Sequence, residues 1–286
     1  MGKYKIADII FDFNFKSEIM NERLTKYQIS DSIIANYSIS TIYVDEIYLE
    51  KFEIIKEFNN RILCSTEICE KVFVLKNIKN QIVMKVEYYD RDTKVIAYFK
   101  KDVEDLEIKE YNLISMLVNE VFLENNLLVI HGSAIAIDNS GIIFSAPSGT
   151  GKSTQANLWK TEFQDRVTII NDDKPIIKVI DDNAYVIGSP WSGKTSLNTN
   201  CEVPLKAVVF IKQSKHNEIF SLNSKEMLKE IIKNFIRSDN LDKNDNIIAN
   251  INKLSKIIKF YRLECDVSKE AVKVVYNKII GENYEN

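Results

Sequence analysis

The sequence has 286 residues, of which 45% are hydrophobic and 28% are charged, as expected of one large or two modest globular domains. The formal net charge of −3 argues against a nucleic-acid partner, and no apolar run approaches the roughly 18 residues of a membrane span. The four cysteines form no C-x-x-C pair, which argues against a zinc or iron–sulfur site. Scattered thiols and the lack of a signal-peptide pattern predict a cytoplasmic protein with no membrane partner.

Residues 1–104 are predicted to form a separate domain, a small β-rich α+β module with a mostly antiparallel sheet and one helix. The turns between its β-rich runs carry Asn, Asp and Lys. The predicted strands are Tyr4–Phe15, Thr41–Val44, Lys71–Leu75, Ile82–Tyr89 and Val95–Phe99. This region contains no constellation of catalytic side chains, so the pattern favours a docking module for a substrate.

The hydrophobic period changes to that of a helix over residues 105–124, and this helix is expected to open a second domain, residues 105–286. Two short strands, Leu127–Ile130 and Ser133–Ile137, should follow, with His131 and Gly132 between them. A turn at Asp138–Ser140 then returns the chain to an apolar strand that ends near residue 144.

Residues 145–154 read Ser-Ala-Pro-Ser-Gly-Thr-Gly-Lys-Ser-Thr and lie between that strand and the start of a helix. A small-residue loop in this position predicts a phosphate cradle, in which Lys152 reaches the β- and γ-phosphates and Ser153 binds Mg²⁺. Ala146 replaces the first glycine of the G-x-x-x-x-G-K-[ST] pattern, and a plain strand-to-helix turn is the alternative. The predicted nucleotide-binding residues are Ser148, Gly149, Thr150, Gly151, Lys152, Ser153 and Thr154.

Asp172 and Asp173 follow an apolar strand at 167–170, as His131 follows the strand Leu127–Ile130. Ligands of open α/β sheets bind at the carboxyl ends of strands, so these residues and the loop are expected at one edge. One carboxylate could hold Mg²⁺ while the other accepts a proton from an attacking hydroxyl. The alternatives are a solvated turn before Pro175 and a structural histidine.

The segment Gly188–Lys194 concentrates Gly, Pro and Ser around Trp191. It is interpreted as a loop that closes over the phosphates, with Lys194 neutralising transferred charge, or alternatively as a surface turn with a packed tryptophan. Further strands are predicted at residues 176–180, 184–187, 207–211 and 259–264, and a final helix at Ser268–Ile280, capped by Ser268. The region between the last two strands is predicted to be mainly helical.

These elements together resemble the HPr kinase/phosphorylase-like kinases, which are related to the phosphoenolpyruvate carboxykinases. The matching residues are His131-Gly132, the run Ser148–Ser153 and the pair Asp172-Asp173, and their spacing is close to the pattern of that family. The resemblance covers residues 105–286 and leaves the first hundred unmatched. It implies an α/β fold, the P-loop kinase core of the HPr kinase/phosphoenolpyruvate carboxykinase type, with a sheet flanked by helices.

The resemblance also implies residue roles and a phosphate donor. Lys152 and Ser153 would bind ATP and Mg²⁺, Asp172 would act as general base, Asp173 would bind the metal, and His131 would assist at the phosphoryl group. An Arg-Gly-Leu-Gly-type signature of true HPr kinases is missing after the Asp pair, which argues against HPr as the substrate. The stretch Gly188–Lys194, and Val203-Pro204-Leu205 before the apolar strand Ala207–Ile211, resemble a subgroup of this family. That resemblance implies phosphorylation of a serine in a peptide or protein, or of a small molecule, and the related kinases often form homo-oligomers.

Three functions remain in competition. An ATP-dependent kinase explains the histidine, the loop and the Asp pair together, and its acceptor is a peptide or protein serine or a small-molecule hydroxyl. A nucleotide-gated binding or regulatory module would need only one metal-binding carboxylate. An ordinary ATPase or GTPase leaves His131 unexplained, and the sequence has no Asn-Lys-x-Asp pattern for guanine.

Overall fold

The computed structural model describes residues 2–236 and 241–281, with the side chains of 241–246 excepted. The chain divides into two compact units, Met1–Met116 and Leu117–Asn286. The division falls inside a helix that begins at Leu106, so the unit boundary lies later than the predicted domain boundary at 104.

The first unit is built on a nine-stranded sheet in the order β3-β1-β2-β4-β9-β8-β7-β6-β5. Its elements are β1 (Gly2–Ile6), β2 (Ile9–Asn14), α1 (Glu18–Leu24), β3 (Gln28–Ile29), β4 (Tyr37–Val44), β5 (Phe52–Phe58), β6 (Arg61–Thr66), β7 (Lys71–Lys76), β8 (Ile82–Tyr89) and β9 (Lys94–Lys100). Strand β4 lies parallel to β2 and β9, and the other neighbours are antiparallel. The β-rich pattern with one α-helix therefore matches the prediction for this region, while β3, β5 and β6 were missed.

The predicted single strand Tyr4–Phe15 is wrong, because the structure folds this stretch into the hairpin β1–β2. Ala7 and Asp8 form its two-residue turn with φ of 50° and 67°. Positive φ at both central residues matches the right-handed twist of paired strands, and Asn-Gly or Asp-Gly is the usual sequence there. Ala-Asp is not such a sequence, and the alternation of apolar residues continues through the turn. The sequence therefore gives no sign that the chain reverses here.

A buried carboxylate, Glu110, organises the polar interior of the first unit. Glu110 is fully buried, and its oxygens accept hydrogen bonds from the backbone N–H groups of Lys16 and Ser17 and from the hydroxyls of Thr41 and Tyr43. Burial and the bond to Glu110 raise the pKa of Tyr43, so its hydroxyl stays a donor. These bonds satisfy the carboxylate and join the first turns of the helix that begins at Leu106 to the sheet.

The second unit contains another nine-stranded sheet, in the order β10-β14-β15-β16-β12-β11-β13, with β18 beside β16 and β17 beside β18. The remaining elements of the chain are α2 (Leu106–Glu124), β10 (Leu127–Val129), β11 (Gly132–Ile137), β12 (Ser140–Ser145), α3 (Lys152–Phe163), β13 (Val167–Asn171), β14 (Ile176–Ile180), β15 (Asn183–Ile187), β16 (Glu202–Gln213), β17 (Glu218–Ser221), α4 (Ser224–Asn234), α5 (Leu241–Ile257), β18 (Lys259–Cys265) and α6 (Lys269–Ile279). Parallel pairs join β12 to β16 and β16 to β18, so the sheet is mixed.

Helices cover both faces of the sheet in the second unit. Along β12, Ile142 and Phe144 belong to the core that includes Trp159 of α3 and Val272 of α6. Ile143, which points to the opposite face, belongs to the core that contains residues of α4 and α5. This layered mixed α/β arrangement agrees with the coarse fold class expected from the sequence.

The predicted strand at residues 207–211 is longer in the structure, where β16 spans Glu202–Gln213. Ser268 does precede the final helix, but its side chain makes no capping bond and its hydroxyl donates to Asp266.

Among the residues that the structure describes, no helix is long and apolar enough to cross a membrane.

Candidate functional site

Strand order brings three separate parts of the sequence to one edge of the second sheet. Strand β11 is antiparallel to both β12 and β13, so the carboxyl ends of β12 and β13 and the amino end of β11 share this edge. The carboxyl end of β12 leads into the loop Ala146–Gly151, and the carboxyl end of β13 leads into Asp172. The amino end of β11 follows directly after His131.

The loop Ala146–Gly151 leads directly into α3. Gly149 and Gly151 adopt φ of 78° and 114°, a region that side chains rarely occupy, and Gly151 is the N-cap of the helix. The first N–H groups of a helix lack intrahelical partners and together with the helix dipole favour an anion. The local backbone is therefore suited to hold phosphate oxygens.

Lys152 is buried at the first position of α3. Its ammonium donates to the carbonyl oxygens of Ala146 and Pro147, at 2.9 and 3.3 Å. Burial lowers the pKa of Lys152, and the nearby carboxylates of Asp173 and Asp172 act in the opposite direction. A buried cation close to two carboxylates is thus held at the end of the loop.

Asp172 is buried just beyond β13, and each of its carboxylate oxygens accepts a hydroxyl. Ser133 of β11 donates to Oδ1 at 2.6 Å, and Thr195 donates to Oδ2 at 3.0 Å. Both donors are neutral hydroxyls, so neither of these two hydrogen bonds pairs the carboxylate with a cation. A carboxylate oxygen can accept more than one hydrogen bond, so Asp172 can still accept from a further donor.

Asp173 pairs with His131. The Nδ1 atom of His131 lies 3.0 Å from Oδ1 of Asp173, and the two side chains are 34% and 20% exposed. A backbone hydrogen bond also joins the two segments, because the N–H of Gly132 donates to the carbonyl of Asp173 at 2.9 Å. The hydroxyl of Ser145, the last residue of β12, donates to the carbonyl of His131 at 2.8 Å.

Asn171, which sequence reasoning missed, fixes the turn that carries the two aspartates. Its buried side chain accepts from the backbone N–H groups of Asp173 and Lys174, at 2.9 and 2.6 Å. Its amide donates to the carbonyls of Ser189 and Trp191, at 2.8 and 3.3 Å. The sequence feature that could have revealed this role is an Asn directly before an Asp pair, because Asn side chains commonly accept a hydrogen bond from the backbone two residues later.

Gly188–Cys201 is a packed loop beside this edge, which we call the flanking loop. Its ends meet, because the N–H of Gly188 donates to the carbonyl of Cys201 at 3.0 Å. Trp191 is buried, with its ring 6.3 Å from that of Phe122. A Cβ at Gly193 would lie 3.0 Å from Cβ of Asp173, so the flanking loop passes close to the aspartates.

The structure therefore brings His131, Lys152, Asp172 and Asp173 together. The other predicted residues differ in exposure. Ser148 and Gly149 are exposed in the loop, and Thr150, Gly151, Ser153 and Thr154 are partly buried at the loop end and on the first turn of α3. Lys194 has an exposed side chain in the flanking loop. Lys174 is an additional cation, whose pKa is lowered by burial and raised by Asp173.

The described residues include no group of three or more His, Cys, Asp or Glu side chains arranged to hold a metal ion. The candidate donors at this edge are instead the hydroxyl of Ser153 and the carboxylate of Asp173, which is partly exposed. Oxygen donors of these two kinds fit Mg²⁺, which keeps several waters and takes few protein ligands beside substrate phosphates.

Residues 96–277 match a family model described as SynChlorMet cassette protein ScmC. The match covers more than half of the chain and includes every residue of the candidate site. The chain belongs to the ScmC family. Its first 95 residues, which include most of the first β-sheet, lie outside the match.

Solved structures give a weaker comparison. The HPr(Ser) kinase/phosphatase from Coxiella burnetii is 8% identical, with a TM-score of 0.32, and the match covers 52% of this chain and 95% of that one. No curated protein matches the chain. A likeness at this level carries no argument about activity, which must come from the residues of the site.

Proposed function

We propose that this protein is an ATP-dependent kinase that transfers the γ-phosphoryl group to the hydroxyl of a serine in a peptide or protein. The observation that carries the proposal is the meeting of Lys152, Asp172, Asp173 and His131 at one sheet edge. Phosphoryl transfer needs a phosphate cradle with a cation, a metal-binding carboxylate and a base, and these residues can supply each.

In this proposal the loop Ser148–Thr154 holds the ATP phosphates through its backbone N–H groups, and Lys152 neutralises charge on the β- and γ-phosphates. Lys194 adds a second cation from the flanking loop. Ser153 and Asp173 would hold Mg²⁺, which when bound neutralises the phosphate oxygens. The buried position of Lys152 strengthens its attraction for phosphate, because fewer waters screen it.

Asp172 acts as the base toward the acceptor. The acceptor hydroxyl gives its proton to a carboxylate oxygen of Asp172 as its own oxygen bonds to the γ-phosphorus, and the bond from that phosphorus to ADP breaks. His131, fixed by Asp173, donates to a phosphoryl oxygen. A peptide acceptor would explain a large β-rich unit that carries no catalytic cluster, since that unit is then available for docking.

The proposal is tested with γ-labelled ATP, Mg²⁺ and an array of serine-containing peptides, with a small set of sugar and alcohol acceptors beside it. Asp172→Asn should reduce label transfer by about 10²–10⁴-fold while the Kd for ATP changes less than about twofold. Asp182→Asn is the matched control, because Asp182 is an exposed aspartate in the turn between β14 and β15.

Each outcome has a distinct reading. Full activity in Asp172→Asn shows that the base is assigned to the wrong residue. Labelling of the sugars or alcohols and not of the peptides moves the acceptor to the small-molecule class. A wild-type protein that binds ATP but labels no acceptor refutes the kinase and favours a nucleotide-gated binding module.

A further inference from the structure

The flanking loop reaches the aspartates through one hydroxyl, that of Thr195. Its Oγ1 lies 3.0 Å from Oδ2 of Asp172 and 3.2 Å from the carbonyl oxygen of Ser192. A threonine hydroxyl has a single proton, and the carboxylate is both nearer and charged. The proton therefore points to Asp172 whenever that carboxylate is ionised.

Thr195 is itself held in place by buried neighbours. The hydroxyl of Ser192 donates to the carbonyl of Thr195 at 2.8 Å, and the side-chain amide of Asn198 donates to the Ser192 hydroxyl at 3.4 Å. Ser192 and Asn198 are both buried. One residue before Ser192, the carbonyl of Trp191 accepts from Asn171, so the loop is bonded to the same turn that carries Asp172.

We infer that Thr195 is a positioning residue that, with Ser133, sets the rotation of the Asp172 carboxylate, an inference that rests on the proposed kinase function. The two hydroxyls lie on opposite oxygens, one from β11 and one from the flanking loop. Together they prevent rotation about the Cβ–Cγ bond and leave the remaining lone pairs in one fixed direction. The flanking loop thus helps to orient the Asp172 carboxylate, and this role is separate from any contact of Lys194 with phosphate.

The test compares Thr195→Val, Thr195→Ser and Ser196→Ala on whichever array peptide the wild-type protein labels best. Valine keeps the shape of threonine and removes the donor, so kcat should fall about tenfold or more, as for a lost hydrogen bond to a charged group. The KM for ATP should change less than about twofold, because the phosphate contacts remain. Serine restores the donor and should restore most of kcat, and Ser196 is an exposed hydroxyl of the same loop.

Crystal structures of the wild-type and Thr195→Val proteins give a readout that needs no activity. The Asp172 carboxylate should turn away from its wild-type orientation in Thr195→Val and keep it in Thr195→Ser. An unchanged carboxylate, or an unchanged kcat in an active protein, overturns the positioning role. A wild-type protein without transfer activity refutes the kinase function, while the two carboxylate orientations still decide whether Thr195 positions Asp172.

Discussion

Gly188 is the position where one added methyl group should do most damage to the candidate site. A Cβ built there would lie 1.9 Å from the carbonyl oxygen of Thr199 and 3.1 Å from that of Ile170. Both atoms belong to the backbone, so no side-chain rotation can relieve the overlap. The change to be made is Gly188→Ala, which alters volume by one methyl and introduces no polar group.

The magnitude follows from the contacts that hold Thr199. To reach even 3.0 Å, the alanine methyl and the Thr199 carbonyl must separate by about 1.1 Å. The N–H of Thr199 donates to Ile170 at 2.9 Å and its hydroxyl donates to Ile169 at 3.0 Å, so this movement strains or breaks bonds to β13. Overpacking of about 1–3 kcal/mol and one lost hydrogen bond of about 1 kcal/mol predict a loss of roughly 2–4 kcal/mol.

Urea unfolding followed by tryptophan fluorescence measures this loss. The chain has two tryptophans, Trp159 and Trp191, and both lie in the second unit, so the signal reports that unit. Gly281→Ala is the matched control, because nothing lies within 4 Å of the Cβ position there. A midpoint for Gly188→Ala equal to that of the control would refute the reasoning. Label transfer should also fall, because the displaced loop carries Thr195.

Three further predictions concern other parts of the chain. Glu110→Ala leaves buried donors unsatisfied in the first unit and should cost about 3 kcal/mol or more, measured by circular dichroism in urea and contradicted by an unchanged midpoint. Lys152→Met should weaken ATP binding at least about tenfold by calorimetry, and unchanged affinity would contradict the cradle. The bond to Arg166 lowers the pKa of Asp138 below 3.8, so its stabilisation is present above that pH and is lost as the pH falls through the lowered pKa. Asp138→Asn should cost under about 1 kcal/mol at pH 7 in urea unfolding, and the cost should shrink as the pH is lowered below 3.8.

Local patterns in the sequence were sufficient for most elements of the second unit. Apolar runs and helical periods mark β12, α3 and β13, and short connections limit how such strands can pair. The rule that ligands lie at the carboxyl ends of strands correctly placed the loop and the aspartates at one edge, but His131 lies there because it precedes the amino end of the antiparallel strand β11. The hairpin turn at Ala7-Asp8 was missed because its residues carry no turn signal and the hydrophobic alternation runs through it.

The residues that support the aspartates could not be predicted in the same way. Ser133 contacts Asp172 across 39 positions of sequence, and Thr195 contacts it across 23. A serine in a strand or a threonine in a loop is common, and only the register of β11 with β13 and the path of the flanking loop give these two a partner. Asn171 had a local signal, but its contacts with the flanking loop are equally non-local.

The different surroundings of the two aspartates argue for different tasks. Asp172 is buried, and each of its carboxylate oxygens accepts a hydrogen bond from a neutral hydroxyl. Asp173 is 20% exposed, and its Oδ1 lies 3.0 Å from Nδ1 of the His131 imidazole. Partial exposure suits a carboxylate that reaches a hydrated ion, since Mg²⁺ keeps several waters. Neighbouring carboxylates in different environments commonly take different roles in one catalytic site. This supports the proposal of Asp172 as the base and Asp173 as the metal ligand.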